Sequence, residues 1–220
     1  MGRYIFYTTI YWVRAMKILE PEPLKILIAT HNIGKVNEFR RLLGGLPYEL
    51  TDLRDLREMP VIDETGTTFE ANARMKAIGY AKASGMYTIA DDSGLEINAL
   101  GGLPGVKSAR FAGAKTGYDA KIAQLLSQIG ESVSPDRGAR FVSHVVFADP
   151  GGTVLFEAEG VCEGTIADGP RGTNGFGYDP VFVPEGFTKT FGELSDDEKE
   201  AISHRARAAA KIIRFLRDFA

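Results

Sequence analysis

Two short β-branched, apolar runs, Lys25 to Ala29 and Tyr87 to Ala90, each end abruptly in a polar cluster. Runs of this length and character read as buried strands rather than helices. The first leads into Thr30-His31-Asn32-Ile33-Gly34-Lys35 and the second into Asp91-Asp92-Ser93-Gly94. A chain that delivers charged groups from the ends of buried strands needs a sheet with helices packed on it. The remaining pattern agrees. A helix is predicted from about Gly34 to Leu43, with Val36, Phe39 and Leu43 on one face and Gly44-Gly45 as its stop. A second is predicted to open at Thr67, with Glu70 completing a capping box, and to run to Ser84 before Gly85. Ile122, Leu125, Leu126 and Ile129 mark an amphipathic helix. Phe141 to Ala148 and Val154 to Ala158 read as a hairpin around Pro150-Gly151-Gly152. A last helix is predicted from near Ser195, capped with Glu198, with Ile202, Ala206, Ala209, Ile213 and Leu216 on one face. Strands, helices, a central hairpin and a closing helix predict an α/β protein with a mixed sheet.

The chain of 220 residues fits one large domain or two closely joined lobes. Its net charge of −3 argues against bulk nucleic-acid binding, which draws on a basic surface. Cys162 is the single cysteine, so no internal disulfide forms, which fits a reducing cytoplasm. Residues 1–24 differ from the rest and are expected to be an extension outside a core domain of residues 25–220. Tyr4 to Val13 is too short to span a bilayer, so no membrane role is expected. No small-residue cleavage site comes after it; the segment reads as an upstream start, with Met16 the true initiator, or as a poorly ordered tail.

Three motifs point to a metal–polyphosphate. The turn Thr30 to Lys35 sits between strand and helix, where free amides and the positive end of the helix dipole favour phosphate. Gly34 would let the backbone approach, and Lys35 adds a full charge. Taken alone, the segment reads as readily as an ordinary turn with a solvated lysine, and it lacks the Walker A spacing. Adjacent carboxylates Asp91 and Asp92 repel unless a cation or a separating geometry relieves them. Alternation along a strand implies that one faces a given cleft while the other takes hydrogen bonds from nearby backbone. Magnesium needs only one or two protein carboxylates besides phosphate oxygens. Asp63 or Glu64, in the Asp63-Glu64-Thr65-Gly66 loop, is the natural second ligand to Asp92.

Two further clusters suit a nucleobase. Phe176, in Phe176-Gly177-Tyr178-Asp179, can stack on a base, and Asp179 can accept a hydrogen bond; core placement of Phe176 and Tyr178 is the competing reading. In Ser203-His204-Arg205, adjacent helical positions differ by about 100°. Either the helix breaks there or only one of His204 and Arg205 faces the pocket. His31, His144 and Cys162 have the wrong spacing for zinc, and Ser93 and Ser203 have no evident base partner.

Together with Leu100-Gly101-Gly102-Leu103-Pro104-Gly105, Ser108-Ala109-Arg110 and Glu198-Lys199, these motifs resemble the inosine triphosphate pyrophosphatase family from about Lys25 to Phe219. The resemblance implies a two-lobed, mixed-sheet α/β fold with the active site in the cleft between lobes, usually as a homodimer. It implies Mg²⁺-dependent cleavage of ITP, dITP and XTP to the monophosphate and pyrophosphate. By position it makes Thr30, His31, Asn32, Ile33, Gly34 and Lys35 a phosphate loop, Lys76 and Lys199 phosphate contacts, and Ser93 a substrate contact. Asp92 would be the catalytic acceptor and a metal ligand, with Asp63 or Glu64 beside it. Phe176, Gly177, Tyr178, Asp179, His204 and Arg205 would form the base pocket, Arg205 accepting a 6-oxo and refusing a 6-amino group.

Overall fold

The computed structural model of the chain describes residues 23–134 and 136–219. The aromatic run and the alternative start Met16 lie outside those residues. Leu24, assigned to the extension from sequence, opens the first strand instead, opposite Tyr48.

Six strands form one mixed sheet: β1 (Leu24–Ile28), β2 (Tyr48–Asp52), β3 (Tyr87–Ile97), β4 (Gly138–Ala148), β5 (Val154–Ile166) and β6 (Phe182–Pro184), in spatial order β2-β1-β3-β4-β5-β6. β1 is parallel to both β2 and β3; every other pairing is antiparallel. The longer helices are α1 (Ile33–Leu42), α2 (Phe69–Ser84), α3 (Tyr118–Glu131), α4 (Asp196–Ile202) and α5 (His204–Arg217).

Period-two alternation sorts the core. Ile26, Ile28, Ile89, Val145 and Phe147 meet α1 and α5 through Val36, Phe39, Ala208, Ile212 and Leu216. Their neighbours Leu27, Ala29, Ala90, Val146 and Ala148 meet α2 through Ala73, Ala77 and Tyr80 on the opposite face. A separate core gathers where β3 and β4 continue: Leu95, Ile97, Ala139 and Phe141 pack with Ile122, Leu125 and Ile129 of α3 and with Phe182 and Phe191. The same two strands therefore serve two lobes. Residues 91–94 and 142–144 span the seam between them.

β3 extends further than its apolar run. The sequence pattern ends it at Ala90, yet it continues to Ile97 because β4 pairs with it from Thr88 to Ile97. On its other side β1 pairs only as far as Ile28 opposite Ile89. Beyond that point, among the described residues, no strand pairs with that edge; residues 102–108 lie against its far end, through a bridge from Glu96 to Pro104 and the Leu95 amide donating to Ser108 Oγ. The polar stretch Asp91 to Gly94 thus lines a gap in the sheet rather than a loop.

Local signals are displaced by a residue or by tertiary pairing. Thr68, not Thr67, caps α2, its hydroxyl accepting from the Ala71 amide at 3.1 Å. The hairpin is longer than its apolar core, reaching Gly138 and Ile166. The Ser195–Glu198 capping box forms as expected. The last helix, however, breaks at Ser203, which has extended geometry (φ −67°, ψ 157°). Ser203 ends α4, and its hydroxyl accepts from the Ala206 amide at 3.2 Å to begin α5. This interruption places both His204 and Arg205 in the first turn of α5.

The start of α5 rests directly on Gly160 of β5. A Cβ there would collide with the His204 carbonyl and the Ala208 amide nitrogen. Both are backbone atoms and cannot swing away. Gly160→Ala is expected to lower stability by about 1–3 kcal/mol, the usual cost of overpacking, in equilibrium urea unfolding.

Candidate active site

The break at β1 opens a cavity of about 360 Å³, within the range of small-ligand sites. The loop after β1 forms one wall. Thr30 Oγ1 accepts from the Asn32 amide and Asn32 Oδ1 from the Lys35 amide, both at 3.2 Å, so the turn is folded before any ligand arrives. Asn32 is thereby the N-cap of α1. His31 Nε2 lies 3.2 Å from the Tyr80 hydroxyl.

Asp91 and Asp92 occupy opposite faces of β3, as alternation requires. Asp91 is buried on the α1 and α5 side, 3.1 Å from Lys35 Nζ and 3.3 Å from Arg205 Nε. Sequence reasoning gives the second aspartate backbone partners; cationic side chains hold it instead. Burial alone would raise its carboxyl, but Lys35 and Arg205 together hold it far below the usual carboxylate range. Asp92 faces α2, where Lys76 Nζ lies 3.0 Å from Oδ1 and Asn72 donates to Oδ2 at 3.2 Å. Here burial dominates and pushes the carboxyl up, against the pull of Lys76 and Lys35. Two adjacent carboxylates are thus driven apart, one locked as an anion and one made more basic.

Lys76 Nζ is also 3.4 Å from Glu64 Oε1, so Glu64 and Asp92 converge on one ammonium. Asp63 lines the same cavity but makes no ion pair among the described residues. Asn72 ties this arrangement together, its Oδ1 accepting from the Gly66 amide at 2.8 Å while its amide holds Asp92.

A second network lies at the Phe176 end. Lys199 Nζ contacts Glu38 at 2.7 Å and Asp179 at 2.6 Å. Burial would lower its pKa, but these two anions raise it, so Lys199 stays charged. Arg205 pairs with Glu38 as well as Asp91, and donates to Ser93 Oγ at 2.7 Å. The Phe176 ring lies beneath both cations, with centroid distances of 4.8 Å to Lys199 and 5.7 Å to Arg205. Asp179 accepts from the Phe176 amide at 2.7 Å, which folds the motif back on itself. His204 stacks on Phe141 at 4.7 Å and 11°. Burial first, then Arg205 and Lys199, push its pKa well down, so the ring is neutral.

Sixteen of the eighteen expected site residues line this cavity. The exceptions are Ile33 and Gly34, which line an adjoining cavity of about 770 Å³ across Phe176. At Gly34 the close approach that the structure shows is to a side chain. Its missing Cβ makes room for Phe176, whose Cδ1 would lie 2.5 Å away. Tyr178 lines the cavity, yet its hydroxyl is spent on the Ser108 carbonyl at 3.0 Å. Sequence reasoning missed Glu38 and Asn72. Each sits a turn from a lysine on its own helix, Glu38 three residues after Lys35 and Asn72 four before Lys76, a spacing that puts the pairs on shared faces.

Among the described residues no three His, Cys, Asp or Glu side chains gather as a metal cluster. Five cations line the cavity, namely Lys35, Lys76, Arg110, Lys199 and Arg205, against Asp63, Glu64, Asp92 and Asp179. Glu38 and Asp91 stand behind them, leaving one net negative charge. A polyphosphate cannot be neutralised by these side chains alone. The donor set suits a hard divalent cation that keeps most of its ligands as water and phosphate oxygen, with Glu64 and Asp92 as the protein carboxylates.

The family model of the Ham1 family matches residues 26–215. A dITP/XTP pyrophosphatase from Exiguobacterium is 48% identical over 86% of this chain and 95% of its own length. One from Bacillus subtilis is 46% identical over 86% and 96%. A HAM1 protein from Coxiella burnetii superposes with a TM-score of 0.81 at 38% identity, covering 89% of this chain and 99% of that one. The Staphylococcus aureus Ham1 protein gives 0.78 at 40% identity, covering 89% and 100%. With its fold and most of its length shared at this level, the chain belongs to the Ham1 family.

Proposed function

We propose that this protein hydrolyses non-standard purine nucleoside triphosphates, dITP, ITP and XTP, between the α- and β-phosphates, releasing the monophosphate and pyrophosphate. The observation that carries this reading is the divergent pair Asp91 and Asp92 at the sheet gap, one fixed as an anion and the other more basic, beside Lys35, Lys76 and Glu64. The curated relatives named dITP/XTP pyrophosphatases support the substrate class.

Bound magnesium would supply charge neutralisation and a lowered pKa for its water. The chain's own groups do the rest. Asp92 takes the proton as water attacks the α-phosphorus and the bond to the β-phosphate breaks. Lys76 holds the Asp92 carboxylate by one oxygen and Asn72 by the other, fixing its direction. Lys35 and the α1 turn face the polyphosphate, while Phe176 offers a stacking surface backed by two cations.

Arg205 has three nitrogens engaged, with Glu38, Asp91 and Ser93, and two N–H groups left over. A 6-oxo purine can accept from such a donor and a 6-amino purine cannot. A buried unpaired donor costs about 1–3 kcal/mol, which corresponds to roughly 5- to 150-fold rejection of adenine nucleotides. Arg205 also neutralises two buried carboxylates, so its removal would damage folding as well as selectivity. Lysine is the better probe.

Action as a homodimer in a reducing cytoplasm belongs to the same reading. The buried Cys162 thiol, pushed up to about 11, is inert to mild oxidants. No helix among the described residues is long and apolar enough to cross a membrane.

Purified protein with dITP and magnesium is expected to release pyrophosphate; orthophosphate as first product would overturn the reading. Asp92→Asn is expected to lose turnover by at least about a hundredfold, the lower range for loss of a general base, with an unchanged unfolding midpoint. Arg205→Lys should lower the dITP-to-dATP ratio of kcat/KM by roughly tenfold. An unaltered ratio would remove Arg205 from discrimination. Sedimentation of the wild-type protein at a single-chain mass would exclude the dimer.

A further inference from the structure

The Ser108-Ala109-Arg110 motif has no part in the mechanism above, yet its placement is unusual. Its backbone is clamped and its final side chain is free. Ser108 Oγ accepts from the Leu95 amide at 2.9 Å and donates to the Gly105 carbonyl at 2.6 Å. Tyr178 donates to the Ser108 carbonyl at 3.0 Å, and Lys121 to the Ala109 carbonyl at 2.5 Å. The segment approaches β3 so closely that a Cβ on Gly94 would collide with Gly105 and Ser108. Four hydrogen bonds and a glycine thus fix the chain up to Ala109. The Arg110 guanidinium itself is exposed and makes no hydrogen bond or ion pair among the described residues.

Charge pairing singles out Arg110. Of the five cations around the cavity, Lys35 is committed to Asp91, Lys76 to Asp92 and Glu64, Lys199 to Glu38 and Asp179, and Arg205 to Glu38 and Asp91. Arg110 alone among them brings an uncompensated charge. It lines the main cavity and also a second one of about 700 Å³, and shares that boundary with Glu64 and Val106. Lys107, equally without a side-chain partner among the described residues, lines the second cavity. Lys76 bonds both Asp92 and Glu64, and Glu64 lines both cavities together with Arg110. A nucleotide with its α-phosphate at Asp92 and its tail running along Lys76 to Glu64 would reach this boundary.

On the pyrophosphohydrolase reading, on which this rests, we infer that Arg110 binds the two terminal phosphates of the substrate, the pair that leaves as pyrophosphate, at a subsite between the two cavities. A planar guanidinium can donate two parallel hydrogen bonds to phosphate oxygens. Its clamped backbone reduces the ordering that binding demands. Lys107 adds a second charge on the outer side.

The test uses Arg110→Gln in the full chain, with dITP as substrate and magnesium present. The variant is expected to raise KM for dITP and the inhibition constant for inorganic pyrophosphate by roughly tenfold or more, as loss of a charge-assisted bond to phosphate implies. Inhibition by dIMP, which lacks the terminal phosphates, should stay within about twofold, and Arg110→Lys should recover part of the loss. Circular-dichroism melting of Arg110→Gln is expected to match wild type, since the side chain holds nothing in place. Unchanged pyrophosphate inhibition in an active variant, or equal weakening of dIMP and pyrophosphate, would overturn the subsite alone. Wild-type protein that releases no pyrophosphate from dITP would instead overturn the underlying function.

Discussion

The Arg205 guanidinium, buried between Glu38 and Asp91, is the interaction on which the rest of the site depends. It joins α1, β3 and α5, three elements far apart in sequence. A buried ion pair repays its desolvation only when geometry and additional hydrogen bonds are good. Here Lys199 also reaches Glu38, Lys35 also reaches Asp91, and Ser93 takes a third guanidinium bond. Each anion is shared by two cations, so no charge stands alone. Such a lattice holds the cavity in shape before ligand arrives, which lowers the reorganisation needed for binding.

That lattice exists because the sheet has a gap. β1 ends opposite Ile89 while β3 runs on to Ile97. Side chains from both faces of β3 can therefore approach one opening, the Asp91 face through Lys35 and the Asp92 face through Lys76. In an unbroken sheet the same two aspartates would lie on opposite sides of a wall. The ligand cleft at the end of a parallel strand, where the neighbouring connections diverge, obeys the general rule for open α/β sheets.

Much of this is legible in the chain. The apolar runs of β1 and β3, the amphipathic faces of α1 and α3, and the Ser195 cap depend on local pattern and lie where that pattern puts them; α5 buries Ala208 and Ile212 beside the expected Ala206, Ala209 and Leu216. Elements decided by distant partners do not. β2 and β6 are short and carry little periodicity of their own, and β3 owes its second half to β4. The break at Ser203 is one of two geometries that His204-Arg205 allows; the extended Ser203 backbone supplies it. Glu38 and Asn72 escape notice because a lone acid or amide on a helix usually faces water, and only the fold buries them. Gly34 is legible as a close approach, while its neighbour Phe176, distant in sequence, is not.

Ser203 has a consequence beyond the two side chains that it redirects. By restarting the helix there, it aims the amino end of α5 into the same cavity that already receives the amino end of α1 from Asn32. Each helix start carries the equivalent of roughly half a positive charge on its peptide groups. Peptide groups do not titrate, so this part of the field persists at every pH at which the protein is folded. It also disfavours protonation of His204, which sits at the first position of α5. An anion entering the cavity therefore meets an attraction written into the main chain, independent of which lysines happen to be engaged with carboxylates.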